Sequence, residues 1–189
     1  MKSKTLATAM LLGLGVGLAQ AATVTFSGLI GPTLGVAGTG MVYIEGGLTF
    51  TSDFLQHWGS GDAENADPGG ATLYHSEVTP PLVVTRTGGG PFDLTSLALA
   101  EADNTGLAVN VTFRYTDGTG LHSSTLAVPA GTGLHTFALN HPGITSFELA
   151  DIDFQVDNIV FVPVPEPETW ALLLAGLGLT GVAARRRSR

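Results

Sequence analysis

Five histidines, His57, His75, His122, His135 and His141, are the side chains best suited to bind a transition metal or move a proton near neutral pH. No two of them stand two apart, as a strand would need, or four apart, as a helix would need, to present paired imidazoles. They read as solvated or turn histidines, with His141 part of a turn ahead of Pro142-Gly143. Nucleophiles are equally sparse. Gly59-Ser60-Gly61 lacks the Gly-x-Ser-x-Gly elbow, and with no cysteine in the chain thiol catalysis is excluded. Fourteen acids lie between residues 22 and 162, enough for the paired carboxylates of a glycoside hydrolase, but no pair stands out by position. Trp58 is the sole tryptophan of that stretch available to stack on a sugar.

Two acidic groups have the oxygen chemistry that calcium takes, six to eight hard ligands from carboxylates, amides and loop carbonyls. One is Asp62, Glu64, Asn65 and Asp67 in a Gly-rich loop; the other is Asp151, Asp153, Asp157 and Asn158 around the start of the last strand. Of these, Asp151, Asp153 and Asp157 form the candidate calcium site. Neither group has the spacing of an EF-hand loop. Solvated acidic loops are the competing and preferred reading. For Asp157-Asn158, side chains bonding to nearby backbone at a sandwich corner are a further alternative.

The elements that must position these residues are strands. Val109, Val111, Phe113 and Tyr115 alternate with Asn110, Thr112 and Arg114, and after Asp117-Gly118 the stretch Leu121 to Val128 reads as the return strand. Phe154, Val156, Val160 and Val162 are expected on one side of a final strand, with Gln155 and Asp157 on the other. Further strands are expected at residues 23–26, 41–44, 48–51, 82–86, 96–101, 134–139 and 146–150. Gly46-Gly47, Pro80-Pro81, Gly88-Gly89-Gly90-Pro91 and Asn140-His141-Pro142-Gly143 punctuate them. No apolar stripe of helical period interrupts this pattern. Residues 22–162 are therefore expected to form one all-β domain, an antiparallel jelly-roll-like β-sandwich.

Composition supports this. The chain has 189 residues, 44% of them hydrophobic and 13% charged, with 26 glycines and 10 prolines, enough apolar content for a core and enough punctuation for many short strands. Without cysteine the domain must be held by that core rather than by disulfides. Between residues 22 and 162 only Arg86 and Arg114 oppose the fourteen acids. So acidic a surface repels phosphate and excludes nucleic-acid binding.

The two ends read as addresses. Lys2 and Lys4 precede an apolar run from Leu6 to Leu18 and then Ala19-Gln20-Ala21, the charge, length and small residues of a signal peptide cut by signal peptidase before Ala22. Its apolar run is expected to be an N-terminal signal helix. At the other end Val164-Pro165-Glu166-Pro167 cannot be helical, Trp170 to Ala184 runs fifteen residues without a charge, and Arg185, Arg186 and Arg187 follow. As a short C-terminal hydrophobic helix that run spans about 22 Å, against about 30 Å of hydrocarbon. Trp170 as an interfacial anchor and the arginines as a stop would hold the tail cytoplasmic and the acidic domain outside.

The order Pro165-Glu166-Pro167, short apolar helix and arginine cluster resembles the PEP-CTERM protein-sorting signal over residues 163–189. The resemblance implies processing near the tripeptide by an exosortase, an integral-membrane cysteine transpeptidase, and transient residence in the inner membrane of a Gram-negative bacterium. It further implies a final place at the cell surface or in the extracellular matrix of exopolysaccharide-producing, biofilm-forming cells. Gly90-Pro91-Phe92-Asp93-Leu94-x-Ser96-Leu97-x-Leu99, Tyr115-x-Asp117-Gly118 and Phe154-x-Val156-Asp157-Asn158-Ile159 resemble the passenger domain common among such proteins. That domain is in turn similar to carbohydrate-binding-module sandwiches. Three functions are carried forward: a non-enzymatic surface or matrix protein associated with polysaccharide, a dedicated carbohydrate-binding module, and a secreted glycoside hydrolase. The first is expected, without cofactor unless calcium binds.

Overall fold

The computed structural model describes residues 20–29, 35–37, 41–53, 55–76, 80–165, 174–181 and 185–186. The expected N-terminal signal helix lies outside them. Among the described residues thirteen strands follow in chain order: β1 (Ala22–Val24), β2 (Gly35–Val36), β3 (Val42–Glu45), β4 (Leu48–Thr51), β5 (Gln56–Trp58), β6 (Thr72–His75) and β7 (Leu82–Arg86). After them come β8 (Phe92–Glu101), β9 (Val109–Asp117), β10 (Gly120–Val128), β11 (His135–Ile144), β12 (Ser146–Ala150) and β13 (Phe154–Pro163). They form two sheets in which every paired strand is antiparallel, one ordered β11-β8-β13-β6-β5-β2 with β1 beside the end of β13, the other β10-β9-β12-β7-β4-β3. The β-sandwich expected from alternation is the fold.

Between the sheets lies an all-apolar core. Phe50, Val84, Val111, Phe113, Phe147 and Leu149 come from one sheet, and Phe92, Leu94, Leu97, Leu99, Phe154, Val156 and Phe161 from the other, all essentially without exposure. Edge-to-face ring pairs such as Phe26 with Phe50 (5.1 Å) and Phe92 with Phe161 (5.8 Å) add directional packing to this burial. Gly46, in the turn between β3 and β4, has a φ of +59°, and a Cβ there would meet the Val24 side chain at 2.8 Å. Only glycine lets that turn close over β1.

Three departures from the sequence reading have physical causes. In β13 the pairing with β8 is irregular between Asp157 and Val160, and Asn158 has a φ of +50°. The displaced register puts Ile159 and Phe161 into the core in place of Val160 and Val162. The expected turn at Asn140-His141-Pro142-Gly143 is instead the irregular second half of β11. Because β11 is an edge strand, Pro142 leaves no ladder bond unmade. Strands β2, β5 and β6 carry short segments whose alternation was too brief to read.

Candidate functional site

Polar chemistry on this sandwich concentrates in three places. The first is the outer face of the β11–β2 sheet, where Gln155 of β13 and Thr72 of β6 have no exposed surface. Residues 59–71 fold over them. The Gln155 amide oxygen accepts from the Ala66 N–H (2.9 Å) and the Thr72 hydroxyl, while its amide nitrogen donates to the carbonyls of Glu64 and Ala102. Asn65, 1% exposed, holds the loop closed by donating to the carbonyls of Gly59 (3.0 Å), Asp67 (2.7 Å) and Gly70 (3.0 Å). Its oxygen accepts from the Asp67 N–H and the Thr72 hydroxyl, both at 3.1 Å. The acidic loop is thus a structural cap in which Asn65 is spent on backbone, while Glu64 stays exposed and Asp62 and Asp67 are half-buried, accepting from the N–H groups of Glu64 and Gly69.

Asp157 shares that face two residues beyond Gln155 and is 1% exposed. It accepts from the Asn158 N–H at 2.7 Å. Burial nevertheless drives its pKa from 3.8 to about 7; the Asn158 bond opposes this, and the negative charges of Asp67 and Glu45 add to it. Asp151 instead lies exposed with a φ of +75°, its carboxylate 3.5 Å from the Arg114 guanidinium. Asp153 faces Tyr74, whose pKa is raised by burial first and by this carboxylate second. Among the described residues no three carboxylates or imidazoles are gathered to hold a metal ion. Asp151, Asp153 and Asp157 therefore face different partners and make no ready calcium site, because the tight turn before β13 turns the first outward and strand pairing turns the last inward.

The histidines also depart from expectation. His57 and His75 are buried, 4% and 1% exposed, and His75 stacks on Phe154 at 4.8 Å and meets the Pro80 carbonyl at 2.9 Å. At the open side between the sheets, His141 of β11 stacks on Tyr115 (4.1 Å) and Phe113 (5.5 Å), and His122 of β10 stacks on Tyr115 (4.7 Å). Burial holds the His141 pKa below its usual value, with the His122 charge adding to the effect. Asp117, 3.2 Å from His122, accepts from the hydroxyl and the N–H of Thr119, which hold its carboxyl at about 2. Turn chemistry between β9 and β10 accounts for this carboxylate.

The third place is the junction with the C-terminal segment. β13 runs to Pro163, beyond the boundary drawn at 162, and the Val164 N–H then donates to the Pro91 carbonyl at 3.1 Å. The Arg86 guanidinium, at the end of β7 in the opposite sheet, donates from Nη1 to the carbonyls of Pro91 (3.1 Å) and Val164 (3.0 Å). Val164 is half-buried and Pro165 exposed. Glu166, Pro167, Trp170 and Arg187 lie outside the described residues. Residues 174–181 are helical with Leu174, Leu177 and Leu179 exposed, and Arg185 and Arg186 are exposed in a further helical segment.

Residues 163–187 match the PEP-CTERM protein-sorting motif. This segment is a PEP-CTERM sorting signal. Such a motif implies export, membrane-associated sorting by an exosortase and delivery to the cell surface. Among the described residues no helix is long and apolar enough to cross a membrane, and the expected apolar run from Trp170 to Ala184 lies partly outside them.

No match was found among curated proteins. Among solved structures the chain is similar to a Podospora anserina GH26-CBM35 β-(1,4)-mannanase, with 17% identity, a TM-score of 0.32, and coverage of 78% of this chain and 28% of that one. It is likewise similar to the CBM22-1-GH10 modules of Clostridium thermocellum xylanase 10B, with 14% identity, a TM-score of 0.37, and coverage of 76% and 28%. A third similarity is to the enzymatically active domain of bacteriophage CBA120 tailspike protein 4, with 18% identity, a TM-score of 0.29, and coverage of 70% and 19%. The chain spans less than a third of each of these solved chains.

Proposed function

We propose that this protein is a non-enzymatic component of the cell surface or extracellular matrix of a Gram-negative bacterium, delivered by an exosortase and associated there with exopolysaccharide in a biofilm. The observation that carries the reading is the junction: the last sandwich strand passes into the sorting signal with Val164 still bonded to the domain. Domain and signal are one continuous device, an acidic sandwich delivered on a membrane-directed tail. Five residues separate Val164 from Trp170, so even fully extended they reach about 20 Å. With the tail in the membrane, the end of the sandwich bearing Arg86 and Gly88-Gly89-Gly90 sits next to the headgroups. The exposed leucines of residues 174–181 suit a helix that is housed in lipid until it is removed.

A structural rather than catalytic passenger fits how its polar groups are used. Asn65, Thr72, Gln155 and Asn104 hold loops and strands, Asp157 is shielded from solvent, and Asp151 pairs with Arg114. A second reading, a carbohydrate-binding module, draws on Trp58 and Tyr74. Their rings lie edge-to-face at 5.9 Å, with Tyr74 half-buried and Trp58 only 9% exposed.

Cell fractionation with immunoblotting tests the sorting reading. The mature form should appear at the surface or in the medium, and loss of the exosortase should leave an unprocessed, membrane-bound precursor. Affinity electrophoresis in soluble polysaccharide separates the two passenger readings. Retardation abolished by Tyr74→Ala would favour the dedicated binding module, and unchanged mobility in a gel of the producer's own exopolysaccharide would remove the polysaccharide role.

A further inference from the structure

We propose that β10 is an assembly edge, along which a second copy of this chain adds its own β10 antiparallel and joins the two six-stranded sheets across a two-fold axis. Among the described residues β10 is an end strand of its sheet, and its register with β9 runs unbroken through nine pairs from Gly120 to Val128. It holds no proline and no Asp, Glu, Lys or Arg, the residues by which end strands usually discourage pairing. The other end strands are blunted. β11 carries Pro142, left-handed φ angles at Asn140 (+55°) and Gly143 (+63°), and register shifts against β8. β1, β2 and β3 are only three, two and four residues long. With one regular edge per copy, assembly closes at a pair instead of running on as a fibre.

Charge selects the occupant. Between residues 22 and 162 two arginines oppose fourteen acids, so two copies repel over most of their surfaces. Along β10 they can meet without opposing carboxylates, and the alternate residues Asn110, Thr112, Arg114 and Thr116 of β9 beside it add no acid. Leu126 and Val128 turn into the core and His122 stacks on Tyr115, which leaves Leu121, Ser123, Thr125 and Ala127 exposed on the outer face. The same four present their peptide groups to a newcomer. The Thr116 carbonyl accepts from the Thr145 N–H on the far side of β9, so the alternate residues Tyr115, Phe113 and Val111 bond toward β10 at His122, Ser124 and Leu126. A two-fold axis at Ser124 then sets Leu121 against Ala127 of the second copy and Ser123 against Thr125, a strip complementary to itself. Antiparallel pairing also reverses the two molecules. Ser146 of β12 pairs with both Thr116 and Thr85, and Pro163 pairs with Phe92 just after the 87–91 loop, so the Gly120 end of β10 is the end at which the chain enters its sorting signal. In a pair those entries lie at opposite ends of a seam about 30 Å long. Two copies held by their signals in one bilayer therefore cannot pair, and pairing follows release; this ordering rests on the exosortase reading above.

The chain has no cysteine, so single substitutions report the geometry directly. In the full chain, purified in detergent and mildly oxidised, Ser124→Cys should form a disulfide-linked dimer, because a pair centred there sets the two Cα atoms about 4.5–5.5 Å apart. Ser123→Cys mixed with Thr125→Cys should cross-link more readily than either alone. Ala63→Cys, exposed in the 59–71 loop, should stay monomeric. Dimer formation no faster in Ser124→Cys than in Ala63→Cys overturns the proposal. Sedimentation of the cysteine-free chain gives a second readout. Ser123→Glu with Thr125→Glu should weaken association about tenfold, since two carboxylate pairs then face each other across the seam. Added salt should tighten the wild-type pair, because it screens the repulsion and not the backbone bonds. Both side chains are exposed, so the melt of the double variant should not move; should it move, the cross-linking decides instead. Unchanged association in a folded double variant overturns the edge.

In producing cells the Ser124→Cys dimer should be found among processed chains and be absent from the membrane-bound precursor. A disulfide between precursors overturns the ordering. If no processed chain forms at all, the exosortase reading fails, while cross-linking of the purified chain still decides whether β10 pairs.

Discussion

Replacing Asp157 by Asn should stabilise the sandwich, and by an amount that depends on pH. The carboxyl is 1% exposed and its pKa rises from 3.8 to about 7, chiefly through desolvation. The native state thus holds a proton that the unfolded chain has released, and stability falls as pH rises from about 4 to about 7, then levels off. Three pK units at 1.36 kcal/mol each amount to about 4 kcal/mol by pH 8, an upper figure because denatured chains are not fully solvated. An Asn side chain carries no charge to desolvate and keeps an oxygen for the Asn158 N–H, so most of that penalty should disappear. In a domain of this size the gain corresponds to a rise in Tm on the order of 10 °C at pH 8. Thermal melts of residues 22–165 at pH 8, 7, 6, 5 and 4 give the readout: variant above wild type at pH 8, the two curves converging toward pH 4. A variant that melts below wild type at pH 8, or a gap that does not change with pH, would refute the assignment of Asp157 as a buried acid paying to ionise.

Replacing Pro165, Glu166 and Pro167 by three alanines should leave export intact and block processing, seen as persistence of the larger band on an immunoblot. Changing Arg185, Arg186 and Arg187 to Gln should weaken the cytoplasmic stop, so that protease shaving of spheroplasts finds the tail accessible or the protein released early. Asn65→Ala should cost about 3 kcal/mol, since the carbonyls of Gly59, Asp67 and Gly70 lose their shared donor, and chemical denaturation would show it as a lowered midpoint. Millimolar calcium should leave the melt of residues 22–165 unchanged, because Asp151, Asp153 and Asp157 address separate neighbours; a rise that disappears in Asp153→Asn would restore the cation site.

What the sequence determined by itself was local. Alternation at Val109–Tyr115 and Ser146–Ala150 specifies strands with one apolar face, and antiparallel partners then follow from short turns. The sorting signal was equally legible, because Pro165, the charge-free run and the arginines act through their order along the chain rather than through a fold. Tertiary structure decided everything that depends on a distant segment. Gln155 and Asp157 look solvent-facing by alternation, yet a loop ninety residues earlier in the chain closes over Gln155 and leaves Asp157 1% exposed. His57 and His75 are polar by type and buried by position. A left-handed Asn158 shifts which valines and aromatics reach the core, a change of one residue that no periodicity announces. The hydrogen bonds from Arg86 to Pro91 and Val164 were invisible for the same reason: they form only where two sheets end together, and strand periodicity carries no information about where sheets end in space.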